Sequence, residues 1–280
     1  MTESRFTDIL RQILKNPLSI AGVTITLILV IVAVIGPTVS PYDPLATDPM
    51  HKLAPPSLAH PFGTDGLGRD IFSRVLYGAR ITLRIALLIL TLSGSVGTII
   101  GIVAGYFGGR VDNLLMRMTD IFIAFPRLVL AMAISAALGP SLRNVVIALS
   151  IAQWTYFARL ARSKALVAAE EDYTEAAKAT GASNTRILLV HILPMSLSPV
   201  IIQGTIIMGS IIITAAGLGF IGFGAQPPTP EWGVMVSNGR NFLPGGWWVS
   251  TFPGMAIMIT VLGFNLLGDG VRDIMDPRFQ

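Results

Sequence analysis

In EEDYTEAAKATGASNTRILLVHILP, Glu170 to Pro194, four carboxylates, a tyrosine and a lysine fall within nine residues of an otherwise apolar chain. Such a density of charge could serve a reaction or a partner. No nucleophile-plus-base motif stands out, and His51, His60 and His191 are widely separated without ligand spacing. The local pattern favours a partner. Asp172 followed three residues later by Glu175 is a capping-box arrangement, with Asp172 in the cap role. TEAAKAT is good helix material, and Gly181 is placed to end the helix in a left-handed conformation. Ser183 or Asn184 can cap a second helix, TRILLVHIL, which Pro194 is expected to end. The first helix has about two turns, and isolated helices below ~12–15 residues are marginal in water. It needs a surface to pack on. Ala176 and Ala177 let such a surface come close, while Glu175 and Lys178 stay wet or pair. The plainer alternative is a polar loop between two apolar spans.

Other chemistry-bearing residues group less well. Arg127 follows Pro126 inside an apolar run, with Asp120 seven residues earlier on roughly the same face. A charge within a span is a pathway candidate by default, and snorkelling or pairing with Asp120 is the alternative. Asp269, Arg272, Asp273 and Asp276 lack a histidine, and Arg272 opposes a cation, so helix termination and a partner contact explain them better than a metal. A Walker A pattern is absent, which excludes ATP hydrolysis by this chain. The loop Gln226 to Trp248 is rich in Pro, Gly and Trp, and Trp232, Trp247 and Trp248 suit a membrane–water interface.

These residues must be positioned by membrane helices. Of 280 residues, 52% are hydrophobic and 13% charged, against about a quarter charged in soluble domains. Six apolar runs approach or exceed the ~20 residues that cross a bilayer: Leu18–Val39, Ile81–Phe107, Ile121–Leu138, Val145–Leu160, Met195–Gly224 and Val249–Leu267. A proline-rich segment, Ser40 to Arg80, separates the first two. The expected fold is all-α and membrane-embedded, with both termini and the Glu175 segment on the cytoplasmic side. The positive-inside rule supports this, with twelve Lys and Arg on that side (Arg5, Arg11 and Lys15 among them) and six on the other. Gly97, Gly101, Gly105 and Gly109 share one helical face and suit close packing within the chain. The basic residues are scattered between apolar runs, so the sequence pI of 9.7 is no nucleic-acid signal.

Glu175-Ala176-Ala177, three residues, Gly181 and then Leu193-Pro194 resemble the EAA motif of ABC-importer membrane subunits. His191 stands where the general motif has Ile, an ending familiar in the peptide-permease branch, and Met195 replaces a frequent Asn. HPFGTDGLGRDIFSRVLYGAR (His60 to Arg80), GFIGFGAQPPTPEWG (Gly219 to Gly233) and GDGVRDIMDPR (Gly268 to Arg278) are similar to segments of the C-type subunits of dipeptide, oligopeptide and nickel importers. Ala215 departs from relatives that carry a glutamate there. The resemblance implies a six-helix type I importer permease. Residues 1–80 would form the N-terminal tail, first helix and extracytoplasmic segment, and 81–280 the five-helix core, with coupling helices at about 165–193. It implies ATPase docking by Asp172, Tyr173, Glu175, Ala176, Ala177, Lys178 and Gly181, with hinges at Gly181 and Pro194. The implied partners are a homologous B-type permease, two ATPases that bind the ATP and Mg, an extracytoplasmic binding protein and the lipid bilayer of a prokaryotic inner membrane. No cofactor is expected in this chain. Peptides are the expected cargo, with nickel, glutathione or oligosaccharide as alternatives. An ion-coupled secondary transporter is the rival class, but it would usually show repeats and intramembrane acids, and neither is evident.

Overall fold

The computed structural model describes residues 16–275, and among these the chain is helical, with an isolated antiparallel bridge between Thr64 and Asp70. Arg5, Arg11, Lys15, Asp276 and Arg278 lie outside the described residues. The main helices are α1 (Pro17–Val39), α2 (Ile71–Phe107), α3 (Gly109–Ile123), α4 (Arg127–Leu138), α5 (Leu142–Ala169), α6 (Asp172–Ala179), α7 (Asn184–Ile187), α8 (Leu193–Ile221), α9 (Trp232–Gly239) and α10 (Trp248–Met275). Packing divides them into two units. The first holds residues 16–87, Ser135–Val146 and 205–275, and the second Leu88–Ile134 and Ile147–Gly204.

In the first unit α1 packs on α10. Asn16 caps α1 by accepting a bond from the Leu18 N–H, and Pro17 supplies a preset φ at the first helical position. Ser19, Gly22, Leu29, Ala33 and Gly36 form its buried stripe. A side chain at Gly22 would collide with the backbone at Leu266 and Leu267, so the two helices meet backbone to backbone there. Most of the rest of α1 is apolar and at least partly exposed, including Leu27, Val30 and Val34. Exposed apolar surface around a helix this long is what a bilayer covers.

In the second unit α2 packs on α5. Cβ atoms at Gly97, Gly101 and Gly105 would run into Trp154, Ala158 and Arg162 backbone, so the glycine face serves packing within the chain. Gly109 does not join it. It sits at φ 52° with open space around it, in the turn that starts α3.

Among the described residues, four helical stretches are long and apolar enough to span a bilayer: Pro17–Val39, Ile71–Phe107, Asn184–Ile221 and Trp248–Arg272. The expected count of six is not matched helix for helix. Ile121–Leu138 is broken, α3 and α4 meeting at 86°, and together they make a fifth candidate. Pro126 explains the break, because it disfavours helical backbone at Phe125 and lacks the N–H that would continue the ladder. α5, expected to span over Val145–Leu160, has the length but not the apolar composition. It buries Ala148, Ala152, Phe157, Ala158, Ala161 and Ala165, and a helix wrapped by protein need not be greasy all round. The second span begins ten residues earlier than expected, at Ile71.

Pro194 does not end the helix before it. The chain runs from α7 through a π-helical turn, Leu188–Ile192, into α8 without a stop. Pro194 has no N–H for the Val190 carbonyl, and the widened turn just ahead of it absorbs that missing bond.

Candidate functional site: a surface segment held by three anchors

The segment Glu170 to Pro194 lies in the second unit. α6 forms because its first turn carries Asp172 and Glu175 against the positive end of the helix dipole, and Lys178 sits in the last turn. The cap differs from expectation. Glu171, not Asp172, is the N-cap residue, and its side chain makes no cap bond; Asp172 is the first helical residue. At the other end Gly181 has φ 80°, Gly181 N–H donates to the Lys178 carbonyl and Ala182 N–H to the Ala177 carbonyl. This is a Schellman termination, and its left-handed residue must be glycine or bear strain. Ser183 then caps α7 by accepting from the Arg186 N–H at 3.4 Å.

Three anchors hold this surface segment. Thr174, fully buried, donates its hydroxyl to the Ala168 carbonyl at 2.7 Å, tying α6 to the end of α5. Tyr106, at the end of α2, donates to Asn184 Oδ1 at 2.9 Å, and Lys178 Nζ stands 5.5 Å from the Tyr106 ring centre. Tyr173 and His191 rings lie 5.7 Å apart. Sequence reasoning missed Thr174 and Tyr106, because nothing in their local spacing marks them, and it offered Asn184 only as a possible helix cap, a role that Ser183 takes. Asp172, Tyr173, Glu175, Ala176, Lys178 and Gly181 are exposed, and Ala177 is half-buried. α6 therefore presents a face of acids and small side chains while burying one threonine.

Ion pairs brace α3 on α5. Arg162 grips Asp112 with both Nε and Nη2 at 2.5 Å, a two-point fork, and Arg159 reaches Asp120 at 2.7 Å. Asp120 is thus taken by Arg159 rather than Arg127. Arg127 instead donates to Gln153 Oε1 at 3.1 Å, and the 86° bend separates it from Asp120. Beside the break lies a cavity of about 660 Å³, lined by Phe122, Phe125, Arg127, Tyr156 and Arg159 among others.

A second polar cluster occupies the loops of the first unit. Asp65 accepts from the N–H groups of Leu67 and Arg69 and from Arg69 Nε at 2.7 Å, with Arg74 Nε 3.8 Å away. Arg74, nearly fully buried, donates to the carbonyls of Pro44 and Pro228 and so joins two loops. Asp70 receives the Ser73 N–H and hydroxyl and contacts His60 Nδ1 at 2.9 Å. Trp232 and Trp248 are buried, donating indole N–H bonds to the carbonyls of Val75 and Thr64. Of the three tryptophans expected to sit at a membrane interface, only Trp247 is exposed. Among the described residues no group of three or more His, Asp or Glu could hold a metal ion.

Residues 97–280 match the family described as "binding-protein-dependent transport system inner membrane component", and residues 4–56 match the "N-terminal TM domain of oligopeptide transport permease C". The chain belongs to this family of importer membrane subunits. Among curated relatives it is 46% identical, over 94% of this chain and 88% of the relative, to the probable D,D-dipeptide transport system permease protein DdpC of Escherichia coli K12. It is 45% identical to the dipeptide transport system permease protein DppC of Alkalihalophilus pseudofirmus, over 99% and 91%. At 41%, over 96% and 90%, it matches the glutathione transport system permease protein GsiD of Pectobacterium atrosepticum. The fold is shared with a chain of the inward-facing MetNI methionine ABC transporter, with a TM-score of 0.59 at 18% identity, covering 74% of this chain and 98% of that one.

Proposed function

We propose that this chain is the C-type permease subunit of an ATP-driven peptide importer, and that α6 is where the ATPase grips it. The observation that carries the reading is the build of the Glu170–Pro194 segment within a chain of this family. An eight-residue helix exposes Asp172, Tyr173, Glu175, Ala176 and Lys178, yet its segment is fastened to α5, to α2 and to the π-helical turn. A load placed on such a face reaches the spans through those fastenings. Gly181 is the hinge between α6 and α7, and Pro194 the place where α8 flexes, next to the π-helical turn. This chain supplies no ATP chemistry; that falls to two docked ATPases. A homologous B-type permease completes the pore, and a binding protein delivers cargo from outside. On this reading both termini and α6 face the cytoplasm of a prokaryotic inner membrane. Arg127, beside the cavity at the broken span, is assigned to the pathway.

Peptide cargo is supported by the dipeptide relatives, and glutathione, itself a tripeptide, by the GsiD relatives. The test is Glu175→Lys and Gly181→Leu in the assembled complex. Both should abolish peptide uptake and reduce ATPase co-purification while membrane insertion stays normal. Wild-type uptake by either variant overturns the docking assignment.

A further inference from the structure

A cavity of about 400 Å³ in the first unit, between the Asp65–Arg74 stretch and the turn after α9, takes no part in the coupling machinery described above. We propose that it receives an acidic side chain of the extracytoplasmic binding protein when that protein docks. This rests on the importer reading and names the chemistry of one contact within it.

The cavity is electropositive by construction. Arg69, Arg74 and Arg240 line it against a single carboxylate, Asp65, three positive charges to one negative. Asp65 is already saturated, accepting two backbone N–H groups and Arg69 Nε with Arg74 close by. Among the described residues Arg69 bonds through Nε alone, leaving its two terminal nitrogens without a partner. Arg240 makes no ion pair among the described residues either; it is exposed and lies 5.7 Å from the Phe220 ring. Free guanidinium edges in a half-closed cavity match a carboxylate in two-point geometry.

The neighbouring surface has the opposite sign. Across the 65–70 turn a cavity of about 640 Å³ is lined by Asp43, Asp48 and Asp70 with His51 and His60, and by no Lys or Arg. A partner meeting both cavities is steered into one orientation, because an acid placed over the wrong one is repelled. Leu67, Leu243 and Trp247 are each about half exposed on these loops and supply apolar anchors of the kind found at protein docking faces. A protein side chain suits the arginine cavity better than a free peptide does. A peptide brings an ammonium group as well, and the cavity's only carboxylate is spent.

The test is docking of the purified, ligand-loaded binding protein to the complex in nanodiscs, measured at low and high salt. Arg240→Glu and Asn238→Asp, both at exposed lining positions, should each weaken docking by about tenfold or more and flatten its salt dependence. An acid-to-arginine change on the binding protein should restore docking to Arg240→Glu. Docking within about twofold of wild type for both variants overturns the proposal. So does competition by a free-carboxylate peptide that its C-amidated form does not share, which would make the cavity a cargo site. Failure of the wild-type complex to bind any binding protein overturns the importer reading, and the proposal with it.

Discussion

Around α6 the charged side chains are exposed and the segment is held by a few single bonds, whereas around Asp65 the charges are buried and tie separate loops together. Thr174 is the one fully buried residue of α6. In the other region Asp65, Arg69, Asp70, Arg74 and Glu231 are all buried, and Arg74 alone joins the Pro44 and Pro228 loops. On the docking proposal, the difference separates a part built to be gripped from a part that is braced. An exposed acid on α6 costs the fold little when changed, because water already screens it. A buried ion pair does the reverse, since removing one partner strands the other's charge away from water. Loss of function without loss of fold is therefore expected at α6, and loss of fold at the Asp65 cluster.

The sharpest way to break that contrast is Arg74→Ala. It should cost on the order of 3–5 kcal/mol, removing one of the two guanidinium groups beside Asp65 and leaving the buried Pro44 carbonyl and the more exposed Pro228 carbonyl without this donor. The measurement is recovery of monodisperse protein from membranes and its apparent melting temperature. Arg74→Ala should give the largest fall of any single change considered, and Glu175→Lys almost none. Equal stability for the two would erase the distinction. Between these extremes lies Thr174→Val. It preserves shape but strands the Ala168 carbonyl in a buried site, about 1–3 kcal/mol of local destabilisation. Global melting should barely move, because α6 is a surface element. Amide exchange across α6 should quicken and ATP-driven uptake should fall, with Thr174→Ser restoring both.

The two regions were unequally legible in the sequence. At α6 the signals are local: acids at the start, Gly181 at the end, a serine before the next helix, all within reach of short-range rules. What escaped there was the fastening, because Tyr106 meets Asn184 across 78 positions of chain and no spacing rule encodes that. The cap shifted by one residue because Glu171 holds the entry through its backbone carbonyl alone. Pro194 was misread as a stop, since the rule that proline ends a helix ignores a π turn that accommodates it. The third span broke at Pro126 where hydropathy showed one run, and α5 is too polar for a lipid-facing helix, through Ser150, Gln153, Thr155, Tyr156 and Arg159, while packing its alanines against protein. In the Asp65 region almost nothing was readable beyond a family-like string, because the bonds run between distant loops. Trp232 and Trp248 illustrate the point: composition suits them to a membrane surface, and tertiary context buries them.

Glu231 offers the smallest test of the braced region. Its carboxylate caps α9, accepting the N–H groups of Gly233 and Val234 at 2.9 Å each, and it lies against Gly219, where a Cβ would meet Oε2 at 2.5 Å. Burial pushes its pKa above the ordinary 4.5, and the two N–H bonds only partly oppose that. A raised folded-state pKa means the folded chain holds this proton more tightly than the unfolded chain does. The resulting stability is fully present below the unfolded value and is lost as pH rises through the folded one. Glu231→Gln cannot titrate, and its amide oxygen still accepts from the helix end. Thermal stability of wild type relative to Glu231→Gln should therefore decline as pH climbs from about 4.5 upward, on top of whatever pH dependence the two share. Gly219→Ala instead crowds the carboxylate with a methyl group, and it should destabilise both protonation states alike and leave the relative slope unchanged. A wild-type curve parallel to that of Glu231→Gln would mean that the two helix N–H groups offset burial in full, and a wild type that gains relative stability as pH rises would mean that they outweigh it.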